Sequence, residues 1–141
     1  MLVHEKIGKK ERNKRIKNIE RHLKNYSNYK VAILNLTKQL EFISSSDDKK
    51  NVFSEQHRTL EDSVEKLSNE LKQVKIVKDS IDASMSELTE LEVKFVEYRY
   101  FNNWSIEKSA LEIGYSDKAL FVIRQQVMDK LLISLGSVTF M

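Results

Sequence analysis

Asp117, Lys118, Phe121, Val122 and Gln125 fall on one face of a helical stretch, DKALFVIRQQVMDKL, and their side chains have the chemistry needed to read base edges. A glutamine amide makes a two-point pair with adenine, a lysine donates to guanine or to phosphate, and Phe and Val meet thymine methyls. Arg124, at the flank of that face, and Lys130, further along, are of the type that grips phosphate. Reading of this kind needs a helix held firmly from behind. Leu120, Ile123, Val127 and Leu131 repeat at helical spacing and supply the apolar stripe for it.

The element that must position this helix lies just upstream, in SIEKSALEIGYS. Ala110 falls midway along a first short helix, where a small side chain lets a second helix approach. Gly114 falls at the turn, where a left-handed backbone carries no steric penalty for glycine. Ser116 offers an N-cap and Asp117 an acid in the first turn. Ala110, Gly114, Leu120 and Ile123 together have the spacing of a helix-turn-helix; an ordinary helical hairpin with small packing residues has the same spacing. Further upstream, LTELEVKFVEYRYF begins with a capping box, Thr89 with Glu92, and continues with Leu91, Phe95, Val96 and Tyr98 to Phe101 as a third helix. The spacing predicts a three-helix unit over 87–135, with a tail over 136–141. Such a unit is the usual housing of a helix that enters the major groove.

The rest of the composition points to an all-α chain. Its 141 residues contain no Pro and three Gly, so the punctuation of a strand-and-turn fold is missing. There is no Cys, which excludes disulfides, thiolate zinc sites and cysteine nucleophiles. No secretory or membrane-spanning apolar run occurs, and a cytoplasmic location is expected.

The formal charge of +3 is unevenly spread. Residues 1–30 hold ten Lys or Arg against three Glu, whereas residues 101–141 hold four bases and four acids. A nearly neutral reading unit lacks the phosphate neutralisation that supplies much of the affinity for DNA. The basic N-terminus, an arm over 1–15, is the candidate source, with Lys9, Lys10, Arg12, Lys14, Arg15 and Lys17 lying along a phosphate backbone. A solvated arm with no partner is the other reading of the same residues.

Between arm and reading unit, residues 16–86 read as an antiparallel helical hairpin used for oligomerisation, with a polar linker over 44–54. Leu60, Val64, Leu67, Leu71, Val74, Ile81, Met85 and Leu88 form a heptad seam interrupted at Lys78. Ile16, Ile19, Leu23 and Tyr26 form a second stripe, and Tyr29, Ile33, Leu36, Leu40 and Ile43 a third that is slightly out of phase with it. Spacing leaves open whether the seam closes within one chain or between two. On the last helix, Phe121, Met128, Leu132 and Leu135 form an extra stripe, which docks on the N-terminal hairpin or a second subunit, or simply widens the core face. A homodimer is expected, because readers of this kind pair across two half-sites.

Catalytic chemistry finds no support. His4, His22 and His57 lack metal-ligand spacing, and Ser44, Ser45 and Ser46 have no base or nucleophile-elbow setting. The acids are dispersed among lysines on helix surfaces, and the three Gly are too far apart for a phosphate loop. The chain is expected to be a non-enzyme with no metal, no cofactor, no small-molecule substrate and no membrane partner.

The segment from Leu88 to Leu132 resembles region 4 of bacterial sigma-70-type factors, through LTELEVKFVEYRYF, WSIEKSALEIGYS and DKALFVIRQQVMDKLL. IERHLKNYSNYKVAILNLTKQL, with its Leu23, Tyr26, Asn28 and Tyr29 cluster, is similar to the N-terminal half of ArpU- and RinA-type transcriptional regulators of phages and prophages. The resemblance implies a DNA-binding activator of phage late genes that acts with host RNA polymerase. Sigma-type reading helices carry several Arg and Glu where this chain has Asp117, Lys118, Phe121, Val122 and Gln125, so an ordinary −35 element is not the expected target. Two other classes share the pattern: a phage small terminase subunit, which would form a large ring on packaging-site DNA, and a protein-interaction module whose helix-turn-helix does not bind DNA.

Overall fold

The computed structural model describes residues 8–47 and 54–138, with side chains described over 8–44 and 59–138. Residues 1–7 of the expected arm, residues 48–53 of the expected linker and residues 139–141 of the expected tail lie outside the described residues. Every regular element among the described residues is helical: α1 (Lys9–Lys24), α2 (Tyr26–Asp47), α3 (Ser54–Met85), α4 (Glu90–Val96), α5 (Ile106–Ile113) and α6 (Asp117–Ser134). A π turn over Glu97–Phe101 continues α4. The all-α fold class expected from composition is the one observed. No helix among the described residues is long and apolar enough to cross a membrane.

The chain divides into two compact units: one holds residues 1–27 and 79–141, the other 28–78. This differs from the division expected from sequence, which separated an arm over 1–15, a hairpin over 16–86 and a reading unit over 87–135. Residues 9–15 are the first turns of α1, and all of α1 belongs with α4, α5 and α6. The physical reason lies in its spacing. Ile16, Ile19 and Leu23 are almost wholly removed from solvent, and α1 packs on α6 and the π turn. Met128 and Leu135, half of the extra stripe on the last helix, are buried too, whereas Leu132 is half-buried and Phe121 stays exposed.

The phase slip between the first two N-terminal stripes is a helix end. α1 stops at Asn25, whose backbone N–H donates to the carbonyls of Arg21 and His22, each at 3.2 Å, and whose side-chain amide donates to Arg21 O at 3.0 Å. α2 starts at the next residue. Tyr26 stacks on Phe101 at 4.4 Å between ring centroids, and its hydroxyl donates to Asp82. Ile81 and Ser84, from the last turns of α3, are buried in the same unit. The expected tail also begins later than the sequence suggested, since Leu135 and Val138 are buried and the Val138 N–H donates to Leu135 O at 3.0 Å.

The second unit holds the longer parts of α2 and α3. Ile43 and Ser44 of α2 share a cleft with Leu60, Glu61, Val64 and Glu65 of α3, so the end of one helix lies beside the start of the next. Leu36 and Val77 are buried, but the seam residues Leu60, Val64, Leu67, Leu71 and Val74 are only half-buried. On the face of α2 opposite its seam, Val31, Leu34 and Phe42 are exposed.

Candidate nucleic-acid interface

Each helix of the candidate interface is started by local hydrogen bonds. Thr89 caps α4: its hydroxyl accepts from Glu92 N at 3.2 Å, while the Glu92 carboxylate accepts from Thr89 N at 2.9 Å. Ser105 caps α5, accepting from Lys108 N at 3.0 Å, and Ser116 caps α6, accepting from Ala119 N at 3.1 Å. Gly114 closes α5 with φ of 87°, and its N–H donates to Ala110 O at 2.8 Å. Only glycine adopts this geometry without penalty.

The turn between the π segment and α5 is built around Trp104, which carried no role in the sequence reading. Trp104 stacks on Tyr98 at 4.7 Å and lies 4.2 Å from the Lys108 ammonium. Its carbonyl accepts from Arg99 Nη1 at 2.7 Å, and its N–H donates to Tyr98 O at 2.9 Å. Asn103, at φ of 57°, turns the chain between them. An aromatic two residues before Ile106 is the available sequence signal, but spacing alone does not say that it pins a turn.

Ala110, Leu120, Ile123, Val127 and Leu131 are all buried, as their spacing implies. The other side of α6 is open. Asp117, Lys118, Phe121, Val122 and Gln125 are all exposed, with Phe121 at 55% and Val122 at 56% of their full surface. Leu111 of α5 and Tyr115 of the turn are exposed as well.

The cations assigned to phosphate divide into two groups, those that pair with carboxylates of the chain and those that are exposed without such a pair. Arg124 donates to Glu20 through Nε at 3.2 Å and Nη2 at 3.1 Å, so its guanidinium is held within the protein. Burial opposes its charge, but the Glu20 carboxylate and the Tyr100 oxygen prevail and raise its pKa, which keeps it charged. Lys130 donates to the buried Glu92 carboxylate at 2.6 Å. Burial pushes Glu92 towards its neutral form, and the bonds from Lys130 and Thr89 outweigh that, leaving its pKa lowered. Arg12 pairs with Asp129 at 2.6 Å and reaches Gln125 Oε1 at 3.4 Å, and Arg15 pairs with Glu11 at 3.2 Å. In each case the residue points towards a carboxylate that helical phase or packing brings within reach. Lys9, Lys10, Lys14 and Lys17 remain exposed.

Charge is divided within this unit. Residues 79–141 hold ten acids and six bases, whereas residues 9–24, which form α1, hold eight bases and two acids. α6 thus gains a basic neighbour only because α1 folds against it.

Comparison of the chain with protein-family models, with curated proteins and with solved structures returned no match.

Proposed function

We propose that this chain is a sequence-specific double-stranded DNA-binding regulator of transcription whose reading helix is α6. The observation that carries the proposal is the pairing of α5 and α6 about Gly114, with Leu120, Ile123, Val127 and Leu131 anchored and Lys118, Phe121, Val122 and Gln125 turned to solvent. Gln125 takes adenine, Lys118 takes guanine or phosphate, and Phe121 and Val122 contact thymine methyls. The resemblance to sigma region 4 and to ArpU- and RinA-type regulators supports activation of phage or prophage late genes together with host RNA polymerase. The half-buried seam of α2 and α3 and the exposed Val31, Leu34 and Phe42 favour a homodimer. Its test is sedimentation at micromolar concentration, where monomers alone, with and without DNA, exclude it.

The test of the reading itself is footprinting and fluorescence anisotropy on DNA from around the gene. Gln125→Ala or Lys118→Ala should lower affinity by about 1 to 3 kcal/mol at one base position and relax preference there. Absence of binding at low salt on every fragment overturns the reading. A second reading, a protein-docking module, is favoured by the exposed Leu111, Tyr115, Phe121 and Val122 and by the excess of acids in residues 79–141. That outcome is the one in which DNA is never bound.

A further inference from the structure

Lys10, Lys14, Lys17, Arg21 and Lys24 follow one another at steps of four, three, four and three residues along α1. At 100° per residue those steps keep all five on one side of the helix, opposite Ile16, Ile19 and Leu23. All five are exposed, and among the described residues none is paired with a carboxylate. The two acids of α1 are committed elsewhere: Glu11 pairs with Arg15, and Glu20 holds Arg124 and Tyr100. Like charges three and four residues apart repel, so the free helix is destabilised by its own stripe.

The geometry points to this stripe as a second DNA contact, a track for the phosphates of one strand beside the duplex that α6 reads. It rests on the DNA-binding reading and adds a surface to it. From Lys10 to Lys24 the helix rises roughly 21 Å, the axial span of about six phosphates of one strand. The stripe is rigid, because the other face of α1 is buried in the same unit as the reading helix. Arg12, on the side of α1 away from the stripe, reaches both Gln125 and Asp129, so α1 itself lies beside the reading face. Arg12 and Arg15 are not part of it, and Arg21 and Lys24, beyond the expected basic arm, are.

The experiment compares the full chain with a Lys14→Gln, Lys17→Gln, Arg21→Gln variant and with a control, Lys66→Gln, Lys72→Gln, Lys75→Gln, which removes the same charge from exposed positions of α3. Binding to duplex fragments is measured against salt. The α1 variant should lower the slope of log affinity against log salt by about 2 to 3 and weaken all sequences alike. The control should keep the slope. An unchanged slope in the α1 variant, or an equal fall in both, overturns the inference while Gln125→Ala still reports on base reading. Loss of binding to an acidic polypeptide with DNA binding intact would assign the stripe to a protein partner and overturn it as well. A chain that binds no duplex at all overturns stripe and reading helix together.

Discussion

Arg124 of α6 donates twice to Glu20 of α1, and the Tyr100 hydroxyl donates to the same carboxylate oxygen at 2.6 Å. One acid therefore ties α1, the π turn and α6 together. All three side chains are at most about a third exposed, so the network is set in a medium where charge pairing is stronger than at a free surface.

Removing the acid leaves a half-buried guanidinium and a buried phenol without their acceptor. Glu20→Ala should destabilise the chain by about 2 kcal/mol, and Glu20→Gln, which keeps one acceptor, by about half as much. Chemical denaturation read by circular dichroism checks the order. Equal stability of both variants and the parent would show that α1 is not held through Glu20.

Tyr100 links the same network to pH. Burial first, and the Glu20 carboxylate second, push its pKa well above the ordinary value of 10. The unfolded chain releases this proton from about pH 10 upward while the folded chain keeps it, so stability is full below that point and falls as pH rises further. Tyr100→Phe should flatten this alkaline limb. On the acid side His22 behaves in the opposite sense: burial, then the charge of Arg21, lower its pKa below 6.5. The unfolded chain takes up a proton first, and stability declines as pH drops through the range below 6.5. Glu92, with its lowered pKa, adds a loss below about 4.5. Denaturation midpoints between pH 4 and pH 11 should therefore trace a dome.

How far the fold was legible depended on whether a signal was local. The caps at Thr89 and Ser116 and the turn at Gly114 are set by two or three neighbouring residues, and the sequence displays them directly, whereas the cap at Ser105 went unread. The partner of α1 was not legible, because Ile16, Ile19 and Leu23 have a spacing that fits a hairpin as well as it fits α6. The same ambiguity hid the carboxylate partners of Arg124 and Lys130. A cation on a helix flank does not display in its spacing the acid that packing brings against it, here Glu20 or Glu92. Arg21 and Lys24 could have been found by following the phase of Lys10, Lys14 and Lys17 along α1.

Ser109 and Ala110, adjacent in α5, should respond in opposite directions. Ser109 is fully buried and its hydroxyl has no hydrogen-bond partner among the described residues. Ser109→Ala removes an unmet polar atom and improves helix propensity, so the chain should gain about 1 kcal/mol. Ala110 is buried where α5 approaches its neighbours, and Ala110→Leu should cost about 1 to 3 kcal/mol through overpacking. Thermal melts of the two variants give the signs. A loss in Ser109→Ala would mean that the hydroxyl has a bonding partner in solution.

Gly114 separates backbone strain from crowding. Its φ of 87° lies in the left-handed region, yet a Cβ built there would meet nothing within 4 Å. Gly114→Ala should therefore lower stability by only about 1 kcal/mol, all of it from the backbone, and leave the crossing of α5 and α6 intact. Gly114→Asn, a residue that tolerates this conformation, should recover part of the loss. DNA affinity, once stability is accounted for, should be the same in both variants, since neither changes the outer face of α6. A large fall in affinity with little change in melting temperature would place Gly114 against the DNA backbone, where the added carbon would collide with phosphate.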